Sequence, residues 1–225
     1  MSSATTAARA SQHRRATIPV NTIKTLFLDI GGVLLSNGWQ QDSRELACKH
    51  FALDFESINQ RHKLVFETFE NGKMTLDEYL DLVIFNKKRR FSKKQFSVFM
   101  LKQTHQTPGM FRLFNELMKL KKNSGFKVIA VSNEARELNE YRIHTYGLNH
   151  LIDFFASSCY LHKRKPNKEI FSLAIDMAQT DPRNCVYIDD QKLFVEVAST
   201  LGIKSIHHLD GPTTLKSLKH ICFKQ

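Results

Sequence analysis

Residues 26–35 read Leu26-Phe27-Leu28-Asp29-Ile30-Gly31-Gly32-Val33-Leu34-Leu35, a short apolar run that ends in a carboxylate and two glycines. A β-branched and aromatic run of this length predicts a strand buried on both faces, from Thr25 to Ile30, rather than an amphipathic helix. In open α/β sheets ligands bind beyond the carboxyl ends of the strands, and glycines let backbone amides approach an anion closely. Asp29 with Gly31 and Gly32 is therefore a candidate anion site. Taken alone, the segment reads equally well as an Asp that ends a strand and caps a turn.

Four further runs have the same character: Lys127 to Val131, Phe154 to Ser157, Cys185 to Ile188 and Lys204 to His207. Helix-period stretches lie among them, at Met110 to Lys122, Lys168 to Ala178 and Lys192 to Leu201. Alternation of this kind predicts an α/β fold, a Rossmann-like three-layer core in which helices cover both faces of a parallel sheet. Residues 41–106 break the alternation and predict consecutive helices at Ser43 to Phe51, Phe55 to Phe69, Leu76 to Phe85 and Lys93 to Thr104. Asn71-Gly72 suits the end of one helix, and Thr75 with Glu78 makes a capping box for the next. With 225 residues, the chain suffices for one core domain, 23–40 with 107–225, carrying a helical insertion at 41–106 behind a tail at 1–22.

The other strand ends carry chemistry too. The second ends in Val131-Ser132-Asn133, Lys165-Pro166 precedes the helix after the third, and the fourth ends in Ile188-Asp189-Asp190. A carboxylate, a hydroxyl, an ammonium and a carboxylate pair thus converge on one sheet edge. Adjacent acids repel unless a cation or protons neutralise them, and Asp29 with Asp189 and Asp190 gives the oxygen-rich surroundings that Mg²⁺ prefers.

With these four motifs in order, the chain resembles the haloacid dehalogenase-like hydrolase superfamily in its phosphatase-like branch, over residues 24 to 210. The insertion resembles that family's helical cap, and Glu67-Thr68-Phe69-Glu70-Asn71-Gly72-Lys73 resembles a segment common in such caps. The resemblance implies a Mg²⁺-dependent phosphatase of small phosphorylated metabolites. Asp29 would be its nucleophile, forming an aspartyl-phosphate; Ser132 would donate to a phosphoryl oxygen and Lys165 would hold Asp29 ionised. Asn133, Gly31 and Gly32 would face the substrate. Asp190, supported by Asp189, would hold Mg²⁺ with Asp29 and the Gly31 carbonyl.

One position departs from the pattern. Typical phosphatases of this family carry a second Asp two residues after the nucleophile as general acid and base, and here that residue is Gly31. General acid catalysis contributes on the order of 10² to 10⁴ in rate, so slow turnover or a substitute acid is expected. A catalytically impaired binding or regulatory protein is the alternative from another class. A 2-haloacid dehalogenase, whose family members also lack that Asp, is the alternative enzyme.

Composition bounds the partners. Lys and Arg total 33 against 22 Asp and Glu, a net charge of +11 that raises the local concentration of anions. The densest basic run, Lys87-Lys88-Arg89-Arg90 with Lys93 and Lys94, reads as a solvated face, with capture of a phosphorylated substrate or of nucleic acid as the functional option. Phe91, Phe96 and Phe99 have core-packing spacing, and Trp39 near the start of the insertion reads as a packing residue or an entrance residue. The four cysteines show no paired spacing and are expected to be reduced thiols. No apolar run approaches the roughly 18 to 20 residues of a membrane span, so a cytoplasmic location without membrane partners is expected. The acid-free tail, with Arg9, Arg14 and Arg15, leaves organelle targeting as the other option.

Overall fold

A computed structural model describes residues 23–223; the tail at 1–22 lies outside the described residues. Five strands, β1 (Thr25–Leu28), β2 (Lys127–Ser132), β3 (Phe154–Ser157), β4 (Cys185–Asp189) and β5 (Lys204–His207), pair in parallel in the order β3-β2-β1-β4-β5. The chain builds outward from β1 to β3, then returns to the other side of β1 with β4. That reversal opens a crevice at the carboxyl end of β1, where open α/β sheets bind ligands.

Side-chain alternation on β1 divides the core. Leu26 and Leu28 join one buried cluster with helices α5 (Met110–Ser124) and α10 (Gly211–Phe223). Phe27 joins Ile129, Val131 and Tyr187 on the opposite face under α8 (Lys168–Ala178) and α9 (Lys192–Ser199). Between β1 and α5 stand four helices, α1 (Gln41–Phe51), α2 (Phe55–Glu70), α3 (Leu76–Val83) and α4 (Lys93–Leu101), with a separate apolar cluster that includes Phe69, Tyr79, Leu80 and Phe96. Phe91 and Phe99 pack against it, as their spacing predicts. The capping box at Thr75 and Glu78 is present.

Strand ends differ from expectation by a residue or two, and these residues matter. β1 stops at Leu28 because the Ile30 carbonyl turns to accept from the Leu34 and Leu35 amides. β2 and β4 run one residue longer than expected, so that Ser132 and Asp189 are the last residues of their ladders. Helix α6 (Arg136–Tyr146) is absent from the sequence reading because its buried positions include Asn139 and Arg142, which disguise the apolar stripe. Three cysteines are buried, the fourth is partly so, and all are free. No helix among the described residues is long and apolar enough to cross a membrane.

Candidate active site

Asp29 is the first residue past β1, and its amide still donates to the Ile188 carbonyl at 2.9 Å, which locks it to the end of β4. Its Oδ1 accepts from the Ile30 amide at 2.8 Å and lies 3.0 Å from Lys165 Nζ. Oδ2 has no hydrogen-bond partner among the described residues. One carboxylate oxygen is thus fixed and the other left open toward a cavity of about 410 Å³. Burial, reinforced by Asp189 and Asp190 and opposed by Lys165, pushes the Asp29 carboxyl up to about 7.

Lys165 is 1% exposed and lies between two carboxylates, with Nζ 2.7 Å from Asp189 Oδ2. Burial alone would lower its pKa, but Asp29 and Asp189 outweigh it and the net direction is upward. Asn133 holds the lysine backbone from both sides: its Oδ1 accepts from the Lys165 amide at 2.7 Å and its Nδ2 donates to the Lys165 carbonyl at 2.9 Å. Ser132 lines the same cavity, and its hydroxyl has no partner among the described residues.

The two adjacent acids divide their work. Asp189 is fully buried; Lys165 and the Tyr187 hydroxyl take its Oδ2, and the Gln191 amide donates to Oδ1 at 2.6 Å. Asp190 lines the cavity, and burial raises its pKa. Asp29, Asp189 and Asp190 each offer an oxygen, all within 4.8 Å of one another.

The two glycines also separate. Gly31 borders the cavity, whereas Gly32 faces a different pocket and adopts φ +74°. A Cβ on Gly32 would lie 2.3 Å from the Asp190 carboxyl carbon, so the absence of a side chain here makes room for Asp190. Gly31 is not in the left-handed region. A Cβ there would meet Asn37 Oδ1 at 2.6 Å, the end of a side chain that can turn away.

Opposite this floor, helices α1 and α2 supply a roof that strand-end reasoning does not reach. Arg44, His62, Phe66 and Glu70 line the cavity, and Trp39 borders it while packing in the helical cluster and donating to the Tyr79 hydroxyl at 2.9 Å. The Tyr79 hydroxyl also lies 2.8 Å from His62 Nδ1, and burial, with help from Arg44, lowers the His62 pKa to about 3. Glu134 and Arg142, from the segment after β2, form a buried ion pair at the cavity wall. Of these, Glu70 lies inside the quoted 67–73 segment and Glu134 directly follows Ser132-Asn133. Arg44 and His62 carry no sequence signal beyond helix position. The basic run at 87–90 lies away from the cavity: Arg89 caps the Ile84 carbonyl at 2.6 Å, and Lys93 pairs with Asp77 and Asp81.

The roof is fastened to the core near its cavity edge. Ser158 Oγ donates to the Glu70 carbonyl at 2.7 Å, and a Cβ on Gly72 would fall 2.1 Å from the Cys159 carbonyl oxygen. Arg164 reaches back to Glu67 and Glu70 at 3.2 and 2.8 Å.

Known proteins share this architecture. An HAD (haloacid dehalogenase) family enzyme from Bacteroides thetaiotaomicron superposes with TM-score 0.71 at 24% identity, covering 82% of this chain and 93% of its own. That enzyme is also known in complex with magnesium and inorganic phosphate. A predicted HAD-like family hydrolase from Porphyromonas gingivalis gives 0.72 at 18% identity over 91% and 100% of the two chains. L-2-haloacid dehalogenase from Xanthobacter autotrophicus gives 0.56 at 14% over 82% and 76%. At these identities the likeness is one of fold. A curated relative, bifunctional epoxide hydrolase 2 of Sus scrofa, is 29% identical over 69 residues, 31% of this chain and only 12% of that protein. The family model for haloacid dehalogenase-like hydrolases matches residues 23–192, which is most of the molecule and takes in β1 to β4 with Asp29, Ser132, Lys165 and Asp190; the chain belongs to that family.

Proposed function

We propose that this hydrolase is a Mg²⁺-dependent phosphatase of small phosphorylated metabolites, with Asp29 as nucleophile. The observation that carries the reading is the asymmetric Asp29 carboxylate, with Oδ1 held by Lys165 and the Ile30 amide and Oδ2 without a partner among the described residues, in a cavity that Ser132 also lines. Oδ2 would attack phosphorus while the bond to the leaving oxygen breaks, giving an aspartyl-phosphate that water then hydrolyses. Ser132 would donate to a phosphoryl oxygen. Lys165 would keep Asp29 ionised and offset charge on the transferring group, with Asn133 and Asp189 acting on it as positioning residues.

The donor set fits a hard cation. Its atoms are all carboxylate oxygens, and since Asp189 is occupied by Lys165, Tyr187 and Gln191, the ligands would be Asp29 and Asp190, with the Gly31 carbonyl beside them. Bound Mg²⁺ would offset charge on phosphoryl oxygens. The uncompensated Asp190 favours this reading over dehalogenation, which needs no metal. Residues 41–106 would act as the cap that closes over the substrate.

Gly31 leaves no side chain to protonate an alkoxide. Glu134 is buried at the same cavity, where burial against the pull of Arg142 pushes its carboxyl up to about 7, but one of its oxygens is engaged by the Arg142 guanidinium rather than open to a leaving group. Slow turnover of alkyl phosphates is therefore expected, and a binding or regulatory protein stands as the second reading on this observation. Hydrolysis of p-nitrophenyl phosphate, whose leaving group needs little protonation, decides between them. Turnover with Mg²⁺ that drops at least about 10³-fold in a folded Asp29→Asn variant is the expected result. A folded wild type with no turnover would sink the phosphatase reading.

A further inference from the structure

Charged groups around the cavity pair off almost completely. Lys165 is matched by Asp29, Arg142 by Glu134 and Arg164 by Glu70. Among the described residues two are left without an ion pair: Asp190 on the floor, which calls for a cation, and Arg44 on the roof.

Arg44 projects from the first turn of α1 and is 7% exposed. It forms no ion pair among the described residues. Its Nε and Nη2 donate to Asn59 Oδ1 at 3.3 and 3.0 Å, and its Nη1 donates to the Trp39 carbonyl at 3.0 Å. Both acceptors are neutral, so they orient the guanidinium without cancelling its charge. A guanidinium has five N–H donors, and two here have no acceptor among the described residues. Arginine does not shed its proton under such conditions, and a buried charge without a counterion is costly. Burial accordingly weighs against the charge of Arg44. A cation held in this state at a ligand cavity is preorganised for an anion that arrives with the ligand.

We infer that Arg44 selects phosphate monoesters carrying a second anionic group, a carboxylate or a further phosphate, which the buried guanidinium receives while the scissile phosphate meets Asp29, Ser132 and Lys165. This inference rests on the phosphatase reading for the floor of the cavity. It adds the substrate class. The cavity, at about 410 Å³ and lined by Arg44 as well as by Asp29, Ser132 and Lys165, has room for a phosphate with a body of a few carbon atoms.

The test compares kcat/KM for 3-phosphoglycerate and for sn-glycerol 3-phosphate, which differ at one end by a carboxylate against a hydroxymethyl group. Propane-1,3-diol bisphosphate forms a third arm that separates carboxylate from phosphate recognition. Wild type should favour at least one dianionic-ended ester by about 10-fold or more. Arg44→Gln should bring the ratio to near one. Asn59→Asp should do the same by a different route, because it keeps the arginine and gives it a carboxylate inside the protein. Equal loss on all three esters in both variants would mean that Arg44 only supports the fold, and a wild type without preference would overturn the proposal outright. Calorimetric binding of the same esters to Asp29→Asn, with and without Arg44→Gln, gives the answer without turnover. If nothing is hydrolysed but the Arg44-dependent binding preference is present, the phosphatase reading fails while the Arg44 inference stands.

Discussion

Arg164 and Lys165 are neighbours in sequence and serve opposite walls of one cavity. Lys165 points into the floor, where it is 1% exposed and sits between Asp29 and Asp189. Arg164 points to the roof, where its side chain is 23% exposed, pairs with Glu67 and Glu70, and lies over the Phe66 ring at 5.0 Å. At the floor Asp29 and Asp189 are buried and neutralised by Lys165, while Asp190 is half-buried and accepts from Gln191 Nε2 at 2.9 Å. At the roof water screens the pairs, so each costs little to break and little to change. The Lys165 pairs are therefore expected to be the more costly to break and the Arg164 pairs the less, a difference that follows from solvent access.

The largest effect expected is from breaking the floor. Lys165→Met leaves Asp29 and Asp189 buried without their cation, and should lower unfolding free energy in urea by about 3–5 kcal/mol while removing catalysis. Arg164→Met, as the matched change at the roof, should cost about 1 kcal/mol or less and act mainly through KM. Comparable losses from the two substitutions would erase the distinction between the walls.

Gly31→Asp sharpens the same contrast within the floor. If the missing acid limits turnover, this substitution should raise kcat/KM for an alkyl phosphate by up to about 10² while changing p-nitrophenyl phosphate far less. The backbone permits it, since Gly31 is not among the glycines with positive φ, and the contact with Asn37 Oδ1 is relieved by Asn37→Ala in the same chain. Equal acceleration of both esters would argue against a protonation role.

The smallest effect is read in melting midpoints. Asp29 and Glu134 titrate near 7 in the folded protein, against ordinary values of 3.8 and 4.5. For acids whose folded pKa is raised, the native state binds more protons than the unfolded one. The stabilisation is complete below the unfolded values, near pH 4, and is lost as pH rises through 7. The midpoint of metal-free protein should therefore fall from pH 5 to pH 8. Millimolar Mg²⁺ should restore about 5 °C at pH 8 and less at pH 5, where protons compete for Asp29. A Mg²⁺ response equal at both pH values, or unchanged in Asp190→Asn, would argue against Asp29 and Asp190 as ligands.

Legibility followed chain geometry. Short buried strands announce themselves through β-branched runs, and parallel order forces their carboxyl ends to one edge, so Asp29, Ser132, Lys165 and Asp190 could be gathered from spacing alone. What the spacing could not tell is that the missing side chain of Gly32 leaves room for the carboxylate of Asp190, since that depends on how the end of β4 lies against the turn after β1. Asp189 was legible as an acid at the site, but its engagement by Lys165, Tyr187 and Gln191 depends on how β4 and α9 pack.

By itself, then, the sequence determined the parallel sheet, the helical segment after the first strand and the floor of the site, because local periodicity and strand direction dictate them. Only tertiary structure decided which charges meet across the cavity. Arg44, His62 and Glu70 come from turns of α1 and α2 whose facing depends on packing around Tyr79 and Phe69, and on the docking of residues 70–72 against 158–162. A helical residue can face any direction until its neighbours fix the rotation of the helix, and that is a property of the packed molecule rather than of its order of residues.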